Sequence, residues 1–263
     1  MLPVCVTCGA QFGGPADRCP VCEDPRQYVP PGGQRWTTLD ELRRDHRNEI
    51  RDEAGFTGVG TEPRFAIGQR ALLVPWGESN LLWDCVTLLD DATAEAVEAR
   101  GGLRAIAISH PHYYSGMVEW AHRFGCPILL HEADRAWIMR PDAAIELWSG
   151  ETRELGDGLT LIRCGGHFPG GTVLHVRRDA GTLLSGDIVQ VIPDRSHVSF
   201  MYSYPNLIPL PEAEIRRIVA ALAPFAYERI LGAWWGTVIP GDGATIVARS
   251  AERYISALHG KLP

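Results

Sequence analysis

The chain of 263 residues has no long uncharged apolar run. A bilayer-spanning helix needs about 20 such residues, so no membrane partner is expected. It also lacks any Lys/Arg-rich run, and its net charge is −7. A nucleic-acid surface calls for the opposite balance, so no nucleic-acid partner is expected. The start, Met1-Leu2-Pro3-Val4-Cys5, has neither the basic residues nor the apolar stretch of an export signal, and a cytoplasmic location is expected. In such a compartment the seven cysteines read as metal ligands and free thiols, not disulfides. No internal repeat divides the sequence. A hydrophobic fraction of 45% can fill a substantial core, as one large domain with a small appendage.

What is present begins with Cys5-x-x-Cys8 and Cys19-x-x-Cys22. A two-residue spacer lets both thiolates of a pair face one ion, and two pairs complete a tetrahedral shell of four cysteines. Gly9 and Pro20 supply turns beside the pairs, and Gly13-Gly14-Pro15 turns the chain between them. A redox dithiol would need one pair only. The module resembles a zinc ribbon, and zinc is the expected ion. So short a segment builds no core, so the metal would supply its folding energy. The expected boundaries are 1–30 for the ribbon, 31–60 for a linker and helix, and 61–263 for the main domain. Pro30-Pro31-Gly32-Gly33 breaks the chain. Thr38-Leu39-Asp40-Glu41 has the capping-box pattern and predicts a charged helix from about Leu39 to Asp52. His46 falls on it as a surface histidine, and Gly55, Gly58 and Gly60 end it.

From Phe65 the pattern alternates between strands and helices. Strands are predicted at Ala71–Val74, Asn80–Asp84, Leu103–Ser109, Ile128–Leu130, Leu159–Ile162, Thr172–Val176, Thr182–Ser185, Ile188–Ile192 and Arg229–Leu231. Helices are predicted at Thr93–Arg100, Met117–Phe124, Asp134–Met139, Glu212–Leu222 and Ala244–Leu258.

Three motifs sit at strand ends in this pattern: Ser109-His110-Pro111-His112, Gly166-His167-Phe168-Pro169-Gly170, and Ser185-Gly186-Asp187. Their order resembles the metallo-β-lactamase superfamily. The resemblance covers about 61–263 and implies an α/β fold, the four-layer αββα sandwich, with metal ligands on loops at one sheet edge. It also implies that His110, His112, His167 and Asp187 hold a cleft metal. The family's first motif reads His-x-His-x-Asp-His; here Tyr114 and Ser115 occupy the Asp and last His slots. The family's closing Gly-His should fall near Ile230-Leu231-Gly232-Ala233-Trp234, which has no histidine. Every ligand of the first metal position is therefore present, and every ligand exclusive to the second is missing.

Three histidines and a carboxylate fit Zn²⁺ with a position open to water. Two histidines and a carboxylate fit non-haem Fe²⁺. Both metals stay open at this point. The leading expectation is a hydrolase whose one cleft metal activates water against an ester, thioester or lactone, with a small molecule as substrate. Asp187 and Tyr114 are the candidate catalytic residues, Tyr114 as hydrogen-bond donor to the oxyanion. His197, Tyr202, Tyr204 and Trp234 are candidate substrate contacts, from the loop after Asp187 and the slot of the closing histidine. Two alternatives remain: a mononuclear iron oxygenase resembling persulfide dioxygenases, and a non-catalytic metal-containing binding or sensor protein. Homo-oligomerisation stays open. His122 and His175 read as packing or surface residues, His131 as one often seen in the family at that strand end, and Cys85, Cys126 and Cys164 as small buried hydrophobes.

Overall fold

A computed structural model describes residues 2–261. The chain divides into two compact units, Met1–Leu130 with Asp134–Trp148, and His131–Ala133 with Ser149–Pro263. No helix among the described residues is long and apolar enough to cross a membrane.

The first unit carries a seven-stranded mixed sheet. Its order is Arg47–Glu53, Phe56–Glu62, Arg70–Trp76, Ser79–Trp83, Leu103–Ala107, Ile128–His131 and Ile145–Trp148. The Ser79–Trp83, Leu103–Ala107 and Ile128–His131 strands run parallel. They are mostly apolar and, Ser79 and Arg104 apart, buried, as strands covered on both faces are. The helix Met117–Phe124 packs on Leu103–Ala107. It buries Met117, Val118, Trp120 and Ala121 and stops at left-handed Gly125.

The capping box forms as expected: Thr38 Oγ1 accepts from Glu41 N–H, and Glu41 accepts from Thr38 N–H. The helix nevertheless ends at Asp45, not near Asp52. Residues Arg47–Glu53 pair with Phe56–Glu62 as a hairpin. Ala54 and Gly55 both take positive φ, 53° and 87°, the two-residue turn whose twist matches antiparallel strands. The strand is charged because it is the sheet's edge, where charge discourages pairing with other chains. Gly58 and Gly60, read as connector glycines, lie inside its partner strand.

The second unit carries a six-stranded sheet in the order Thr152–Gly156, Leu159–Arg163, Thr172–Val176, Thr182–Gly186, Arg229–Gly232 and Val238–Ile239. The helix Glu212–Leu222 packs on Leu159–Arg163 and on the last helix, Gly243–Leu258. Their core includes Ile162, Val173, Leu183, Phe200, Ile215, Ile218, Val247 and Ile255. Two smaller expectations are corrected. The expected helix at Asp134–Met139 is a 3-10 segment, Glu132–Trp137. The expected strand Ile188–Ile192 shrinks to Gln190–Val191, because Ser185 Oγ bonds Val189 O at 2.7 Å and folds the chain back there.

Candidate metal centre

The ribbon assembles locally. Gly9 N–H bonds Cys5 O at 2.8 Å and Cys22 N–H bonds Cys19 O at 3.0 Å, turning each cysteine pair into a knuckle. The strand Val4–Cys5 pairs with Trp36–Thr37. The four sulfurs lie within 4.8 Å of one another, with Cys5–Cys22 and Cys8–Cys19 separations of 3.6 Å. A disulfide needs about 2.05 Å. Four thiolates about 2.3 Å from a central ion have edges of roughly 3.8 Å. The spacing fits a tetrahedral ion. All four side chains are buried. Hydrogen bonds from Cys19, Cys22 and Cys8 pull Cys5 well below the ordinary thiol range, and Cys8 is pushed up. A divalent cation resolves that crowding by letting every sulfur ionise.

The second candidate centre contains histidine. The strand Leu103–Ala107 delivers the chain to Ser109, whose N–H bonds buried Asp84 Oδ1 at 2.8 Å. His110 is extended, and Pro111 starts a short 3-10 turn that carries His112. The two imidazoles stand 5.1 Å apart, nearly perpendicular. Ser109 Oγ lies 2.9 Å from His110 Nδ1, which leaves Nε2 as the nitrogen that could ligate. Beneath the loop, Asp84 takes φ 60° just past its strand. Burial pushes its carboxyl up to about 6, against the pull of Ser109 and Arg70. Arg70, only 2% exposed, pairs with Glu53 at 3.7 Å, and burial draws its guanidinium down to about 10.

In the second unit, His167 rides a turn pinched by Gly171, whose N–H bonds Phe168 O at 2.9 Å. A Cβ at Gly171 would stand 2.0 Å from Gly165 O, so only glycine closes this turn. Gly186, at φ 55°, turns Asp187 off its strand. Asp187 Oδ1 lies 3.8 Å from His167 Nε2. Tyr204 donates its hydroxyl to Asp187 O at 2.9 Å, and its ring meets His167 edge-on at 6.2 Å. Burial and the Asp187 charge push this phenol up, so it stays a donor.

The first unit offers the imidazoles of His110 and His112, 5.1 Å apart, and the second offers His167 with Asp187. Three imidazoles are the donor set of a metal site with a position left open, so these residues fit the expected metal. Asp187 sets its carboxylate beside His167.

The other predicted residues are placed differently. Tyr114 is buried and lines a cavity of about 10 Å³ with Gln11, Trp137, Met139 and Arg140. The ring against His110 is Tyr113, 4.4 Å away and fully buried. His197 bonds within its own loop, to Ser196 Oγ at 2.9 Å and Asp194 at 3.2 Å. Tyr202 packs on the core of its unit. Trp234 is half-buried in the turn between the last two strands, its N–H bonded to Thr237 Oγ1 at 3.2 Å. Sequence reasoning misses the roles of Asp84, Ser109, Arg70 and Tyr113. For Asp84 and Ser109 the signal is that polar residues follow two apolar strands; Arg70 and Tyr113 carry none.

No family model matches the chain. It is similar to solved metallo-β-lactamases: to DIM-1 with a TM-score of 0.60 and 11% identity, over 80% of this chain and 98% of that one. To the mono-zinc form of FIM-1 from Pseudomonas aeruginosa the TM-score is 0.58 at 14% identity, over 82% and 97%. A curated relative, hydroxyacylglutathione hydrolase of Acidiphilium cryptum, is 31% identical over 61% of this chain and 66% of its own. Sheets, helices and motifs thus define a member of the metallo-β-lactamase-fold superfamily, an αββα sandwich with an N-terminal four-cysteine module. Within it, the chain belongs to one family with YmaE, an uncharacterized protein of Bacillus subtilis, which is 47% identical over 98% of this chain and 97% of its own.

Proposed function

We propose that the protein is a hydrolase with a single catalytic metal, acting on a small thioester, ester or lactone. The observations that carry this reading are the His110–His112 pair of the first unit and the His167–Asp187 pair of the second. His110, His112 and His167 would hold the ion, and zinc is the proposed metal. A bound Zn²⁺ lowers the pKa of its water toward neutrality and polarises a carbonyl. Asp187, beside His167, would orient that water. Ser109 holds the ring plane of His110, and Asp84 holds Ser109. Tyr204 holds the Asp187 main chain. One metal and not two follows from Tyr114 and Ser115 in the first motif and from the lack of histidine in Arg229–Gly236. A thioester leads the substrate classes because a hydroxyacylglutathione, named for the Acidiphilium relative, is one.

The test combines metal analysis with turnover. The purified protein should hold one ribbon zinc and one further zinc, and hydrolyse a hydroxyacylglutathione or a simple thioester. His167→Ala should abolish turnover and weaken the second metal by at least about 10²-fold, with ribbon zinc kept. Iron with oxygen uptake would assign an oxygenase instead. A tightly held metal without turnover on any acyl substrate would assign a binding role. Two metals besides the ribbon zinc would overturn the single-metal reading.

A further inference from the structure

The ribbon is not a free appendage. Its first knuckle continues into Gly9-Ala10-Gln11, and this strip lies against the loop that carries the first-unit histidines. Gln11 N–H donates to Ser115 O at 3.3 Å. The Gln11 side chain is 5% exposed. Its amide donates to Glu119 Oε1 at 3.2 Å and its carbonyl accepts from Arg140. Arg140 in turn pairs with Glu119 at 2.6 Å. Glu119 stands in the first turn of Met117–Phe124, the helix that follows the histidine loop.

Two further observations point the same way. Thr87 Oγ1 donates to Gly9 O at 3.0 Å. Thr87 is wedged between ribbon and loop: a Cβ at Gly9 would stand 2.6 Å from Thr87 Oγ1, and one at Gly116 would stand 2.3 Å from Thr87 O. Ser115 itself sits at φ 44°, a left-handed conformation that is strained for a serine unless its surroundings hold it. Those surroundings are Gln11 on its carbonyl and Gln69 Nε2 on its hydroxyl, at 3.0 Å. Tyr114 and Ser115 are also the residues that stand in the slots of the second-metal ligands. The ribbon therefore docks where that second site would be built.

We propose that Gln11 and Thr87 are positioning residues through which the ribbon holds the His110–Ser115 loop in its metal-binding form. The metal affinity of the His110/His112/His167 centre is then coupled to the ribbon, although the two centres share no ligand. This rests on the metal centre proposed above. Linkage of this kind is reciprocal, so metal at the histidines also steadies the ribbon.

The experiment uses the full-length protein, with zinc as probe. Gln11→Ala should keep the ribbon zinc, weaken the second zinc about 10-fold, and speed amide exchange at position 11 and at Tyr114–Met117. Thr87→Val, which replaces the hydroxyl on Gly9 O by a methyl, should act in the same direction and serves if Gln11→Ala fails to fold. Arg18→Ala, in the exposed ribbon pair with Glu23, should change nothing. Unchanged zinc affinity and unchanged exchange in both variants would overturn the coupling. If the wild-type protein binds no second zinc, the proposed centre fails; the exchange data then still decide whether the ribbon holds the loop.

Discussion

The two candidate centres are built on opposite plans. Cys5, Cys8, Cys19 and Cys22 come from one short stretch, turned by its own backbone hydrogen bonds. His110, His112, His167 and Asp187 come from strand ends in two different sheets. The ribbon has little to bury except its own sulfurs, Phe12, Val21 and neighbours such as Trp36 and Trp137. The histidines sit on turns that follow strands whose side chains are already buried for other reasons. A local centre makes its fold out of metal binding; a distributed centre takes its geometry from a fold that exists without the ion.

The largest expected effect tests that contrast directly. Cys8→Ser should remove the ribbon zinc and, with it, binding energy on the order of 10–16 kcal/mol that folds the module. Amide exchange across 2–30 should become fast, while the two large sheets keep their protection. Retained protection of the ribbon without metal would show that Phe12, Trp36 and Trp137 suffice to fold it, and the contrast would collapse.

A smaller effect sharpens the distributed side. Tyr204 and His197 lie on one loop after Asp187, and the sequence offers both as substrate contacts. The structure separates them: Tyr204 bonds Asp187 O, while His197 bonds Asp194 and Ser196. Tyr204→Phe should weaken the proposed second zinc about 10-fold, the usual cost of an outer-shell partner. His197→Ala should leave zinc binding and turnover unchanged. A large loss of turnover in His197→Ala with metal intact would restore it as a substrate contact.

The same contrast explains what can be read from the sequence. Local signals are legible: the paired cysteines, the capping box at Thr38–Glu41, and the apolar strand that delivers His110. Signals that depend on distant neighbours are not. Arg47–Glu53 is wholly polar but for Ile50, so its periodicity says nothing about a strand; its pairing with Phe56–Glu62 decides. Asp157-Gly158 does carry a hairpin signal, and both residues take positive φ, yet the strand Thr152–Gly156 before it is too polar to stand out. At the site, the motif histidines are visible, but Asp84 reaches Ser109 only because parallel pairing lays Ser79–Trp83 against Leu103–Ala107. That register is a property of the sheet.

The smallest expected effect concerns Tyr114, where local and distributed arguments disagree. By its slot in the first motif, its hydroxyl should face the metal and donate to an oxyanion. Removing such a donor costs on the order of 10²–10³-fold in kcat. The structure instead lines a small cavity with Tyr114, beside Gln11, Trp137, Met139 and Arg140, and sets Tyr113 against His110. Burial, with the Asp134 charge, pushes the Tyr114 phenol well above its ordinary pKa, so it stays protonated and is excluded as a base. Packing against the ribbon side needs the ring and not the hydroxyl. Tyr114→Phe should therefore keep kcat and both metals, with stability changed by no more than about 1 kcal/mol. Tyr114→Ala should loosen the loop as a cavity mutation does, by about 3–5 kcal/mol. A 10²-fold loss of kcat in Tyr114→Phe with metal content unchanged would return the hydroxyl to the chemistry and make the motif slot the better guide.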